Sequence, residues 1–256
     1  MMEDPQAPVQ PEPPEPPPSL SPPPESDPFW SYADLLIFAG LYLPCLLLGM
    51  FVVKAAFWIF QLHPAVKTWE LLVNQCAFYA LLSGALAVLF RVQYDRPFWR
   101  SLGWVAPRLP LFSVVTGGVS LAMVLMLLAA LIRTPRTEGP LTKLLEDPTS
   151  LILLAIFGSI VAPVCEELLF RGFLQPLLVR SLGAVAGIVA TAVPFGLLHF
   201  REYGNSWRHA LLVALSGAAF GWMRQVTGST KAAAGMHASF NAFQFALLLL
   251  TKDPPQ

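Results

Sequence analysis

Six residues in the C-terminal half of the chain have the types and spacing to do chemistry, and all stand in apolar surroundings. Glu166, Glu167 and Arg171 fall in one hydrophobic block, His199 closes the next, and His237 and Asn241 lie in the last. An ionisable residue at the centre of a lipid-embedded helix costs about 2.5–3.5 kcal/mol on insertion scales, so the set represents on the order of 10 kcal/mol if left unpaired. These side chains must face one another or a wet cavity. Neighbouring helical residues are roughly 100° apart, so Glu166 and Glu167 point in different directions. Glu167 and Arg171 are spaced i,i+4 in the favourable acid-before-base order, which predicts an ion pair on one face. Glu166 is then free to face a cavity, where an isolated carboxylate suits a general base. Phe195 and His199 are also i,i+4, so the phenyl ring can wall the cavity beside the imidazole. His237 and Asn241 share a face by the same spacing. An imidazole can bind a metal or shuttle protons, and an amide can donate to a developing oxyanion or accept from a ligand water. The bland alternative for these residues is a set of interhelical polar clamps.

The elements that must position them are read from composition. The chain has 256 residues, of which 55% are hydrophobic and only 12% charged, and its mean hydropathy is +0.58. Soluble domains carry about 25% charged residues. The deficit excludes an ordinary cytosolic globule, a disordered protein and a basic nucleic-acid binder. About seven apolar blocks are visible, at 35–53, 71–90, 110–132, 149–171, 184–200, 210–227 and 232–250. In hydrocarbon every backbone N–H and C=O must be paired within the segment, so uninterrupted blocks of this length are helices. The prediction is an all-α polytopic membrane protein with about 7–8 transmembrane helices and its site between the C-terminal ones. The blocks near 184–200 and 210–227 are short enough for one to be partly re-entrant. Residues 54–65, with Phe57, Trp58 and Phe60, are a candidate interfacial stretch.

Residues 1–28 hold six acidic residues, 12 of the 25 prolines and no Lys or Arg. Such a tract buries too little apolar surface to offset its ordering entropy. Residues 1–30 are therefore predicted to be a disordered tail, with docking to an unknown partner as a lesser reading. With no basic n-region it is not a signal peptide, and 35–53 reads as a retained signal anchor. Residues 31–148 form a motif-free membrane region, and 149–251 hold the chemistry. Cys45, Cys76 and Cys165 read as small hydrophobes, and His63 and His209 as surface groups. Trp30, Trp58, Trp69, Trp99, Trp104 and Trp207 fall near block edges, as an aromatic belt requires. Gly183 with Gly187, and Gly217 with Gly221, read as close-packing pairs. Pro163 and Pro194 lie inside spans just before the polar residues. They should kink or open the helix, which is tolerated only where protein or water replaces the lost bond. Counting seven helices divides Lys and Arg equally between the two sides, so orientation stays open.

Other intramembrane chemistries match less well. His-Glu-x-x-His is absent, Tyr94-Asp95 sits among loop charges, and Ser216-Gly217 with His237 would leave Glu166 and His199 without a role. The ordered set Glu166-Glu167-x-x-x-Arg171, Phe195-x-x-x-His199 and His237-x-x-x-Asn241 resembles the CAAX-protease and bacteriocin-processing (CPBP, or Abi) family of intramembrane proteases. The type II CAAX prenyl endopeptidases belong to that family. The resemblance covers roughly residues 149–250 and implies hydrolysis of a peptide bond in a membrane-associated protein or peptide. It implies Glu166 as the principal water-activating carboxylate, with Glu167 essential or supporting. His199 and His237 would hold the water or a metal, Asn241 would bind the oxyanion or the ligand sphere, and Arg171 would be structural. Two His and one Glu form a familiar zinc set, so a zinc ion on His199, His237 and Glu166 and a metal-free glutamate–histidine mechanism are both open. Partners implied are membrane lipid and a protein or peptide substrate. Localisation would be a multi-pass one, in a bacterial cell membrane by analogy with many relatives. A non-catalytic protein of the same fold, serving as immunity factor, scaffold or ion or proton path, is the alternative.

Overall fold

A computed structural model of the chain describes residues 27–251, among which every regular element is helical. The helices are α1 (Tyr32–Ile59), α2 (Lys67–Tyr94), α3 (Phe98–Ser101), α4 (Leu111–Leu131), α5 (Pro140–Leu144), α6 (Pro148–Leu182), α7 (Ala184–Leu198), α8 (Trp207–Thr227) and α9 (Thr230–Thr251). Five of them, α1, α2, α4, α6 and α9, are long and apolar enough to cross a membrane. Helix α7 is apolar but has only 15 residues, a rise of about 22 Å. Large apolar side chains such as Leu36, Phe51, Phe112, Val185 and Leu250 point outward, which suits a lipid surface and no aqueous one. The chain is a polytopic all-α membrane protein.

Each expected block is helical, with two differences of extent. Residues 54–59 continue α1 and form no separate interfacial segment; the chain turns only at Gln61. The block expected at 149–171 runs on to Leu182 as one 35-residue helix. Asp147 opens it by accepting the Ser150 N–H at 2.7 Å, with Pro148 in the first turn, where no N–H is needed. Helix α6 survives its internal prolines because it widens into π turns at Phe157–Val161 and Leu168–Leu174. Gly183 closes it at φ +81, a backbone region that disfavours side chains. A Cβ on Gly187 would sit 2.6 Å from the Val179 backbone, so this glycine pair folds α7 tightly back on α6.

Residues 1–26 of the expected tail lie outside the described residues. Phe29 and Trp30, placed at the end of that tail in the sequence reading, are packed into the fold. Trp30 is buried among Phe90, Leu102 and Phe173, and its indole N–H donates to the Phe173 carbonyl at 3.1 Å.

Contacts between helix ends sort them to two sides. Arg180 donates to the Pro28 carbonyl, Tyr32 to Ser181, and Thr230 to the Leu102 carbonyl. At the other side Thr68 donates to Ser150, Leu141 N–H to the Glu202 carbonyl, and Arg208 to the Arg133 carbonyl. Helices α2 and α6 therefore start together and run in parallel. Helix α9 packs on α4 through Val114, Ala122, Met236 and Phe240. A Cβ on Gly118 would collide with Ser239 Oγ and the Met236 carbonyl. That glycine sets how closely α4 carries the helix bearing His237.

Candidate active site

Glu167 and Arg171 lie halfway along α6, both with no exposed surface. Arg171 Nη1 donates to Glu167 Oε1 at 2.8 Å, the ion pair expected from the spacing. The second guanidinium nitrogen, Nη2, donates to the Gly217 carbonyl on α8 at 2.7 Å. One turn along, Gln175 Nε2 donates to the Gly221 carbonyl at 2.9 Å. A Cβ on Gly217 would stand 2.8 Å from Arg171 Nη2 and 2.9 Å from the Phe195 ring. The Gly217/Gly221 pair is thus more than generic packing: its bare backbone lets two α6 side chains reach the carbonyls of α8. The guanidinium also lies 4.5 Å from the Phe195 ring centroid, a cation–π contact in a dry setting.

His237, 5% exposed, brings α9 to the same carboxylate. Its Nδ1 is 2.9 Å from Glu167 Oε1. With Nδ1–H donating to a carboxylate that accepts but cannot donate, the ring is held with Nε2 on the far side. The imidazole stacks on Phe220 at 4.4 Å and meets the edge of Phe195 at 5.9 Å. Phe195 also packs on His199 at 4.9 Å. One phenyl ring therefore separates and orients both histidines. His199, at the C-terminal end of α7, has its own Nδ1 2.8 Å from the Phe195 carbonyl, one of the orphan acceptors of that helix end.

Glu166 is half-buried, and its Oε1 accepts the Tyr79 hydroxyl of α2 at 3.1 Å. Tyr79 was missed by sequence reading, because a lone tyrosine in a motif-free apolar block carries no pattern. Asn241 does something the sequence did not anticipate. Its Nδ2 donates to the Gly158 carbonyl at 2.7 Å. In the π turn the partner of that carbonyl would be residue 163, which is a proline without an N–H. Asn241 supplies the missing bond, so the opening forced by Pro163 ties α9 to α6 beside Glu166. The second amide hydrogen and the side-chain oxygen of Asn241 are left for other partners.

The loop after His199 adds Glu202 and Tyr203. Partial desolvation raises the Glu202 carboxyl above the ordinary carboxylate range, with Glu166 adding to this and His199 opposing it, although the side chain still reaches solvent. Burial, with the charges of Glu202 and Glu166, pushes the Tyr203 phenol up to about 12. Both residues belong to the electrostatic surroundings of Glu166 and His199. Ser216 Oγ donates to the Val213 carbonyl of its own helix at 2.8 Å. Among the described residues no group of three His, Cys, Asp or Glu side chains is arranged to hold a metal ion. An apolar recess lined by Phe57, Leu62, His63 and Trp69 lies at the α1–α2 turn, away from these groups.

Residues 148–243, from the first residue of α6 well into α9, match the family model described as type II CAAX prenyl endopeptidase Rce1-like. This segment is similar to that family. No curated protein and no solved structure matches the chain. The matched segment holds Glu166, Glu167, Arg171, Phe195, His199, His237 and Asn241, and the resemblance seen in the three short motifs is borne out over a continuous stretch. The matched model describes endopeptidases, and this similarity supports a hydrolase acting on peptide bonds in a multi-pass membrane protein. Helices α1 to α5 lie outside the match.

Proposed function

We propose that the protein is an intramembrane endopeptidase in which Glu166 activates a water molecule beside His237 and His199. The observation that carries this reading is the arrangement of two consecutive carboxylates, one buried and one half-buried, with separate partners. Glu167 is tied to Arg171 and His237, whereas Glu166 is tied only to a neutral hydroxyl among the described hydrogen bonds. Structure is thereby assigned to one carboxylate and reactivity to the other.

In the proposed reaction Glu166 removes a proton from water, and the hydroxide oxygen bonds to the carbonyl carbon of the scissile peptide. The negative charge passes to the carbonyl oxygen. The remaining amide hydrogen of Asn241 is a donor for it, joined by an imidazole Nε2–H when that ring is protonated, because Nδ1–H of each histidine is already given to Glu167 or to the Phe195 carbonyl. The tetrahedral intermediate collapses with loss of the C–N bond, and Glu166–H returns its proton to the leaving nitrogen. A carboxylic acid and an amine result, which pass on as carboxylate and ammonium once the acid proton moves to the nitrogen. A metal on Glu166, His199 and His237 would supply Lewis acidity, but no three-donor cluster is present among the described residues. The steps are therefore assigned to the side chains themselves.

The substrate class follows the similarity of the segment: a membrane-associated protein or peptide cut near its terminus, either a prenylated CAAX end or a processed precursor. The test is cleavage of a quenched peptide library by purified protein, with Glu166→Ala and His237→Ala alongside. Cleavage by the wild type and loss in both variants supports the reading. Equal cleavage by all three sinks the site assignment. Retention of all cellular function by Glu166→Gln would favour the scaffold alternative.

A further inference from the structure

The geometry points to Tyr79 as the residue that positions Glu166, so the motif-free half of the chain completes the site. This rests on the proposed role of Glu166 as base. Tyr79 sits on α2, outside the stretch that matches the peptidase family, and is buried to 8% exposure. Its ring lies nearly parallel to Phe157, at 6.5 Å and 7°, and against Phe78 at 6.0 Å. Phe157 opens the π turn that leads to Pro163 and the two carboxylates. The hydroxyl is thus aimed by aromatic packing, and it ends on Glu166 Oε1.

The kind of donor matters. Glu167 is held by an arginine and a histidine, and its charge is spent on them. A neutral phenol fixes the direction of a carboxylate without neutralising it. With Oε1 occupied, Oε2 is the oxygen turned to the reacting water. Helix α2 is itself fixed on α6 by the Thr68–Ser150 bond at 2.7 Å near their shared start, which keeps Tyr79 in register with Glu166.

The experiment compares wild type, Tyr79→Phe, Glu166→Asp and the double variant in steady-state cleavage of one peptide, with thermal unfolding of each. Tyr79→Phe keeps the ring and its stacking and removes only the hydroxyl. The expected result is a kcat loss of about 10- to 100-fold, the worth of a hydrogen bond to a charged group. KM should stay within about twofold, because the hydroxyl does not touch substrate. In Glu166→Asp the carboxylate is withdrawn by one methylene, so adding Tyr79→Phe should change kcat no further. Thr68→Val, which removes the bond that holds α2 in register with α6, should lower the unfolding temperature and reduce kcat by less than Tyr79→Phe does. An unchanged kcat in Tyr79→Phe overturns the inference and leaves the peptidase reading standing. So does a loss that multiplies fully onto Glu166→Asp, or a change confined to KM. Absence of cleavage by the wild type overturns the peptidase reading and the inference with it.

Discussion

Adjacent glutamates with different partners make opposite predictions. Glu167 accepts from Arg171 and His237 in a fully buried pocket. Glu167→Gln leaves the guanidinium without its counter-charge, and unfolding in detergent should show a loss of about 3–5 kcal/mol. Glu166→Gln keeps an acceptor for Tyr79 and faces a half-buried space, so its unfolding should stay close to wild type. Its cleavage rate should fall by about 10²- to 10⁴-fold, as for a removed general base. If Glu166→Gln destabilises as much as Glu167→Gln, the division of roles is wrong. Glu202 offers a pH test. Its folded carboxyl is raised, mainly by desolvation, so the folded state holds its proton to higher pH than the unfolded state does. Stability associated with this group is therefore present at low pH and is lost as pH rises through the raised value. Glu202→Gln should raise the unfolding temperature at pH 8 and leave it unchanged at pH 4. The reverse pattern would mean that the carboxylate is stabilised, not penalised. The Glu167–Arg171 contact was legible from i,i+4 spacing alone. Tyr79 was not, since its partner lies 87 residues away and no local pattern links them.

Helices position these groups through absences as much as through side chains. The missing N–H of Pro163 opens a carbonyl that Asn241 fills, and the missing Cβ of Gly217 admits Arg171. From sequence, the proline signalled an opening and the glycines signalled close approach, but neither named its partner. The 35-residue length of α6 was also hidden, because hydropathy falls at Arg171 and Gln175 even though both side chains donate to backbone carbonyls of α8 inside the protein. Gly118→Ala tests the α4–α9 contact. The added methyl collides with Ser239 and the Met236 carbonyl, and overpacking of this kind costs about 1–3 kcal/mol. The variant should unfold earlier and cleave more slowly, since His237 and Asn241 ride on α9. Gly84→Ala on α2, where a Cβ meets nothing within 4 Å, should match wild type in both measurements. Equal behaviour of the two variants would show that α9 is not held through Gly118.

On the level of the molecule, contacts between helix ends place Pro28, Leu102, Ser181 and Thr230 together, and Thr68, Arg133, Leu141 and Glu202 opposite them. Labelling single cysteines at Arg108 and Arg180 with a membrane-impermeant thiol reagent should give one accessibility class, and at His63 and Glu138 the other. Mixed classes would contradict a chain that crosses at each long helix, with α7 and α8 completing the return. The class of fold was legible because lipid leaves helices as the main solution for apolar blocks of this length. The site was legible because ionisable groups are costly there and must converge. What composition did not reveal is that α2, a helix without any motif, brings Tyr79 to Glu166. The claim on which the rest depends is that Glu166 and His237, 71 residues apart in the chain, act on one water molecule. The most direct measurement is kcat for Glu166→Gln, His237→Asn and the double variant on a single cleavable peptide. Residues acting as a unit are non-additive, so the double variant should be within about threefold of the slower single one. Losses that multiply would place the two side chains in separate steps and contradict a shared reacting centre.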